Sequence, residues 1–248
     1  INLKLCFSDK TPTEINKLEK QCFMENAKLA MEFPIAWLSN KATIENIILQ
    51  IKNQNLVENA IESKKPLIIA VPHIGNWEFF WHWLQLNYPT IGMYTPAKTH
   101  QLEQLMLNSR QRFGGQTFAT DPKGILALMR HLKKGHVMMI LPDQVPRKGA
   151  GIYTPFFGQS AYTMTLLQRF VQKTDANLLF GSCLRKTGST GFTIELYQPS
   201  FDIDCDSVDD FNHGMNQQIE SIILSAPEQY QWNYKRFKRQ QDGLNYYR

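Results

Sequence analysis

Three short apolar runs constrain this chain more than any other feature: "LIIAV" at 67–71, "TIGMY" at 90–94 and "HVMMIL" at 136–141. Each has the length and continuous apolarity of a strand buried on both faces. Stretches of helical period separate them. The segment 76–87 ("NWEFFWHWLQLN") follows the first run, and 100–113 ("HQLEQLMLNSRQRF") follows the second and closes on Gly114–Gly115. The next helix, 122–135 ("PKGILALMRHLKKG"), has Asp121 as cap and Pro122 at its first position. Strands alternating with helices over such lengths predict an α/β fold, a mixed and mostly parallel sheet flanked by helices.

The flanking segments extend this pattern. Residues 11–33 carry Ile15, Leu18, Cys22, Leu29 and Phe33 at helical spacing, with Thr13 as the expected N-cap, and this face is a packing face. Two more short helices are expected over 42–53 and 55–63. Beyond a loop from Asp143 to Gly158, residues 161–174 read as a helix, and 176–185 and 192–199 as a strand pair across the Gly188–Gly191 turn. A final helix at 207–225 turns Val208, Phe211, Met215, Ile219 and Ile222 inward. With 248 residues and no linker, repeat or low-complexity tract, one domain is expected, a helical part over 1–63 and an α/β core over 64–248.

Composition narrows the class only broadly. At 43% hydrophobic and 20% charged residues the chain is an ordinary globular protein, and a net charge of +5 suits phosphates, an anionic membrane or an acidic protein. Cys6, Cys22, Cys183 and Cys205 lack metal-ligand or disulfide-framework spacing. No apolar run reaches the ~18–20 residues that span a bilayer. The chain opens on Ile1, which leaves room for an upstream membrane anchor.

The chemistry concentrates where the first apolar run ends. His73 lies just past a strand's carboxyl end, where open α/β sheets place ligands. Gly75 and Asn76 turn the chain, Asn76 caps the next helix, and Glu78 falls in its first turn, within reach of His73. A histidine with a carboxylate, and no serine or cysteine nucleophile beside it, suits activation of a hydroxyl supplied by the substrate. The plainer alternative is a structural pair: a histidine satisfying a carbonyl and an acid favoured by the helix dipole. His82 reads as a helix-surface residue, since the HExxH zinc pattern is absent. Asp143 and Gln144 leave the third apolar run at the same sheet edge as His73. Arg110 ends a helix, where a cation is favoured in any case. Lys133, Lys134, Arg147, Lys148 and the tail 234–240 ("YKRFKRQ") form either a basic docking surface or scattered solvated charge.

"HIGNWE" resembles the H-x-x-x-x-D/E signature of glycerolipid-type acyltransferases. Six blocks in order, "NLKLCF", "VPHIGNWE", Arg110 to Gly114, "LPDQVP", "TPFFGQSAYTMT" and "PEQYQWNYKRFK", resemble the lipid A biosynthesis (late) acyltransferase family across nearly the whole chain. The resemblance implies an α/β enzyme at the cytoplasmic face of the bacterial inner membrane that moves an acyl chain from acyl carrier protein to a hydroxyl of a lipid A precursor. It implies His73 as general base, oriented by Glu78, and Arg110 on an oxyanion or a lipid phosphate. Substrate contacts fall to Asn76, Trp77, Asp143 and Gln144, and Phe156, Phe157 and Gly158 become a wall of the acyl pocket. Among Phe79, Phe80, Trp81 and Trp83, some rings line the acyl tunnel or face the membrane, or all are core. No metal, nucleotide cofactor or nucleic-acid partner is expected, because a thioester is already reactive and no phosphate-binding glycine loop is present. Open alternatives are acylation of another glycolipid or phospholipid, and a non-catalytic lipid- or carrier-binding module.

Overall fold

The computed structural model describes residues 1–96, 99–188, 190–241 and 243–247. Residue 189, in the expected Gly188–Gly191 turn, lies outside them. In chain order the elements are α1 (Asn2–Cys6), α2 (Pro12–Leu38), α3 (Lys41–Ile47), β1 (Ile48–Lys52), α4 (Asn55–Glu62), β2 (Leu67–Ala70), α5 (Trp77–Asn87), β3 (Thr90–Tyr94) and α6 (His100–Gln111). There follow β4 (Gln116–Ala119), α7 (Pro122–Lys133), β5 (Val137–Ile140), β6 (Gly151–Phe156), β7 (Gln159–Met164), α8 (Leu166–Thr174), β8 (Asn177–Arg185), β9 (Phe192–Tyr197) and α9 (Val208–Ser225). A 3₁₀ turn at Pro227–Gln229 opens the last stretch.

Seven strands form one sheet in the order β1-β9-β8-β2-β5-β3-β4, parallel throughout except for the antiparallel pair β8–β9. The three apolar runs become β2, β3 and β5 at its centre. Alternation along β2 divides the core into two layers. Ile68 and Ala70 pack with residues of α7, α8 and α9, whereas Leu67, Ile69 and Val71 pack with α3, α4 and α5. Helix α2, about 40 Å long at 1.5 Å per residue, contributes Ile15, Leu18 and Cys22 to the first layer and Leu29 and Ala36 to the second.

Several expected boundaries shift. The cap of α2 is Thr11, not Thr13: Thr11 and Glu14 form a reciprocal capping box with Pro12 at the first turn. The expected helix over 42–53 divides, because Ile48–Lys52 adds to the open edge of β9 as strand β1. β4 extends the other edge beside β3. The stretch 161–174 is helical only from Leu166, since Gln159–Met164 pairs antiparallel with Gly151–Phe156 in a separate hairpin. Val208 begins α9 37% exposed, while Phe211, Met215, Ile219 and Ile222 are buried.

Residues 227–236 strap back over the loop after β2. Gly75 N–H donates to the Gln229 carbonyl (3.0 Å), Gln231 N–H to the His73 carbonyl (3.0 Å), and Asn76 N–H to the Cys183 carbonyl (2.8 Å). Gly75 has φ +58°, and a Cβ there would sit 2.0 Å from the Cys183 oxygen, so only glycine fits this turn. The same C-terminal stretch closes on the amino end, where the buried Asn2 amide donates to the Trp232 (2.6 Å) and Tyr234 (2.7 Å) carbonyls.

Candidate active site

A cavity of about 540 Å³ opens at the carboxyl edge of β2, β3 and β5, within the roughly 300–1,000 Å³ usual for small-molecule sites. His73, Trp77, Glu78 and Arg110 lie on its wall with Gln144, and Trp81, Met93, Met106, Met139 and Ile140 supply apolar lining.

Strand register decides what His73 meets. β2 and β5 are paired neighbours with Ala70 opposite Ile140, so the residues three places past each strand, His73 and Asp143, come side by side. Asp143 Oδ1 lies 2.7 Å from His73 Nδ1, and Asp143 Oδ2 accepts the His73 backbone N–H at 3.0 Å. Burial works against the Asp143 charge, but the imidazole and the hydrogen bonds from His73 and Tyr230 together hold its carboxyl below the usual carboxylate range. With Nδ1 tied to Asp143, Nε2 is the ring nitrogen left to the cavity. The ring stands edge-on to Trp77 with centroids 4.9 Å apart.

This corrects the expected His73–Glu78 pair. Asn76 does cap α5, accepting the Glu78 and Phe79 N–H groups at 3.2 Å each. From the first turn, however, Glu78 points to α6 and takes a two-pronged contact from Arg110, whose Nε donates to Oε2 at 3.2 Å and whose Nη2 meets Oε1. Burial opposes ionisation of Glu78, yet the Arg110 charge and hydrogen bonds prevail and lower its pKa. Arg110 is raised by the same carboxylate against its own burial. The result is two separate pairs: Arg110–Glu78 on the cavity wall, and His73 on the same wall with Asp143 buried behind it rather than at a substrate-contact position.

Other sequence-derived site residues fall differently. Trp77 and Gln144 line the cavity, and Gln144 also donates to Gln231 at 3.3 Å. Asn76 is fully buried and acts on the backbone, with its amide donated to Glu32 at 3.0 Å. Phe156, Phe157 and Gly158 are not on the cavity wall: they sit at the β6–β7 turn, where Phe156 packs on Phe237 and Phe157 on Phe7 and Trp232. Hairpin formation carries those rings into the core layer below α9. Of the α5 aromatics, Phe79, Phe80 and Trp83 are core, while Trp81 floors the cavity, its Nε1 donating to the Arg110 carbonyl at 2.9 Å. His82 is fully buried rather than on the surface, 2.7 Å from Gln85 Nε2, and burial drives its pKa down to about 4.

Sequence reading passed over Tyr230. It is buried close to Asp143, and burial followed by the Asp143 charge raises the phenol well above its usual pKa, so it stays protonated. The only signal was the block "PEQYQWNYKRFK", whose order in the chain was visible although the role of its tyrosine was not.

The sequence model of the family described as bacterial lipid A biosynthesis acyltransferase matches residues 1–239. The chain belongs to that family. Among its relatives are the lipid A biosynthesis lauroyltransferase of Escherichia coli (strain K12), 25% identical over 244 residues that cover 98% of this chain and 79% of that protein. The lipid A biosynthesis acyltransferase of Haemophilus influenzae is 28% identical over 195 residues, 77% of this chain and 59% of that one. The Escherichia coli (strain K12) lipid A biosynthesis myristoyltransferase is 24% identical over 255 residues, with 98% and 75% covered. The lipid A biosynthesis acyltransferase family thus accounts for the six ordered blocks, and this acyltransferase keeps two of them, "VPHIGNWE" and "LPDQVP", on opposite sides of one hydrogen bond.

Proposed function

We propose that this acyltransferase moves a fatty acyl group from an acyl carrier protein thioester to a hydroxyl of a lipid A precursor, with His73 Nε2 as general base. The observation that carries the reading is the register-fixed His73–Asp143 pair, with His73 on the wall of a largely apolar cavity. Asp143 fixes the tautomer with the proton on Nδ1 and stabilises the imidazolium that forms when Nε2 takes the acceptor hydroxyl's proton. The freed alkoxide attacks the thioester carbonyl. A tetrahedral oxyanion forms, and its collapse expels the carrier thiolate, which takes the proton back from His73.

Arg110 lies on the same cavity wall as His73. Two of its five N–H donors engage Glu78, which fixes the guanidinium plane and leaves the others for an oxyanion or a lipid phosphate. Glu78 is therefore a positioning residue for Arg110. The apolar lining from Trp81, Met93, Met106 and Met139 suits the acyl chain. Among the described residues no helix is long and apolar enough to cross a membrane, and the reading places the enzyme on the cytoplasmic face of the inner membrane, where carrier and acceptor meet.

The test is incubation with a panel of acyl carrier thioesters and lipid A precursors, with other glycolipids and phospholipids as alternative acceptors, and mass spectrometry of the lipid products. Transfer to the precursor is expected, and His73→Ala, folded by circular dichroism, is expected to lose roughly 10²–10⁴ in rate. Near-normal turnover of His73→Ala would remove the histidine from the mechanism.

A further inference from the structure

Helix α2 changes character along its outer face. Up to Gln21 the exposed residues are mostly polar, among them Asn16, Lys17, Glu19 and Lys20. From Phe23 to Leu38 the exposed positions are Phe23, Met24, Ala27, Ala30, Met31, Pro34, Ile35 and Leu38, with Lys28 the one exposed charge. Phe23 is 77%, Met31 76% and Leu38 67% exposed. At 100° per residue these side chains centre opposite Leu29 and Ala36, which are buried against the sheet. A helix apolar on both sides belongs either inside a core or against lipid.

The two acids of this stretch are withdrawn from the outer face. Glu25 and Glu32 both bind Arg185, at 2.9 Å and 2.8 Å, at the end of β8. That clamp sets the rotation of α2 and leaves the outer face apolar with Lys28 in it and Lys17 and Lys20 leading into it. On its inner side the same helix meets the active site, for Glu32 holds Asn76 and Phe33 lies edge-on to Trp77, centroids 5.7 Å apart. Beside it, α6 supplies Met106 to the cavity and leaves Leu102 and Leu105 exposed.

We propose that the outer face of α2 from Phe23 to Leu38 seats the enzyme on an anionic lipid bilayer, the helix lying in the interface with its apolar side chains among the acyl chains. Lys28, paired with Glu25 at 2.5 Å, is the one exposed charge in a row with no exposed acid; its long stem lets the ammonium reach anionic headgroups while the apolar row is buried. The inference deepens the reading above: an acceptor anchored in that bilayer would reach a cavity whose wall touches the same helix, without leaving the lipid.

Flotation with vesicles of phosphatidylethanolamine and phosphatidylglycerol, set against pure phosphatidylcholine, tests it. Wild type is expected to float with the anionic vesicles and to be released in part by 1 M salt, a concentration that screens charges beyond about 3 Å. Met31→Glu/Ile35→Glu is expected to lower the bound-to-free ratio at least roughly tenfold, as introduced charges do against lipid, and the milder Lys28→Glu to lower it less. Circular dichroism confirms the fold of each variant. Wild type left in the soluble fraction, or a double variant that floats equally well, would overturn the proposal. So would a concentration-dependent dimer in sedimentation velocity without vesicles that the same substitutions abolish, since the face would then belong to a second copy. The vesicles carry neither donor nor acceptor, so the outcome is independent of whether lipid A acylation is observed.

Discussion

Two carboxylates flank the candidate site, and their substitutions should fail in different ways. Asp143→Asn keeps the shape but can present an amide N–H to Nδ1, which traps the imidazole in the wrong tautomer. Turnover is expected to fall by roughly 10²–10⁴ with the Michaelis constant little changed, read by steady-state kinetics. Glu78→Gln instead leaves the buried Arg110 without its counter-charge and should cost about 3–5 kcal/mol of stability, measured by urea unfolding. Buried His82 adds a pH signature. Its folded pKa, about 4, lies below the ordinary imidazole value of 6.5, so between these values the unfolded chain binds the extra proton. Stability is then full above pH ~6.5 and falls as pH drops toward ~4, by on the order of 3 kcal/mol in all. His82→Gln should flatten that fall in denaturation midpoints taken from pH 7 to 5. At this scale the sequence disclosed residue types better than partners: Asp143 was visibly at the His73 edge, but only strand order makes β5 the neighbour of β2.

Among the elements, α5 and β3 meet at a point that sets the depth of the cavity. The Trp81 ring abuts Gly92, and a Cβ at position 92 would fall 2.7 Å from it. Trp81 is also held at Gly115, where a Cβ would fall 2.8 Å from the ring, so the indole has no slack on either side. Gly92→Ala is expected to push the indole into the cavity and shift the preferred donor to shorter acyl chains. Competition among carrier thioesters of graded length checks this; an unchanged preference would place the chain elsewhere. The core strands and α5 were legible because their apolar runs and caps are local signals. β1, β4 and the β6–β7 hairpin were not, because edge pairing and hairpin closure are decided by partners distant in sequence or by turn geometry. The hairpin error also carried Phe156 and Phe157 to the wrong place, since a strand and a loop aim the same side chains differently.

For the molecule as a whole, the net charge of +5 includes cations at the cavity and at the end of α7. Arg147 lies at the cavity lining, with Lys148 next to it in sequence. Lys133 and Lys134 close α7 just before β5 begins at Val137. Reversing all four charges is expected to raise the apparent Michaelis constant for an acidic carrier thioester and to weaken its salt dependence. Salt sensitivity equal to wild type would mark them as solvated charge.

The strap of residues 227–236 carries a consequence for biogenesis. Its backbone pins the His73 loop, its Tyr230 completes the Asp143 environment, and its carbonyls receive Asn2 from the opposite end of the chain. A ribosome delivers Asn2 more than two hundred residues before the strap, and the His73 loop more than one hundred and fifty. The nascent chain can assemble β2, β3 and β5 early, yet its His73 loop stays untethered until the strap has cleared the exit tunnel. Partly synthesised chains would therefore carry an unfinished His73–Asp143 site, completed only when translation has passed the strap.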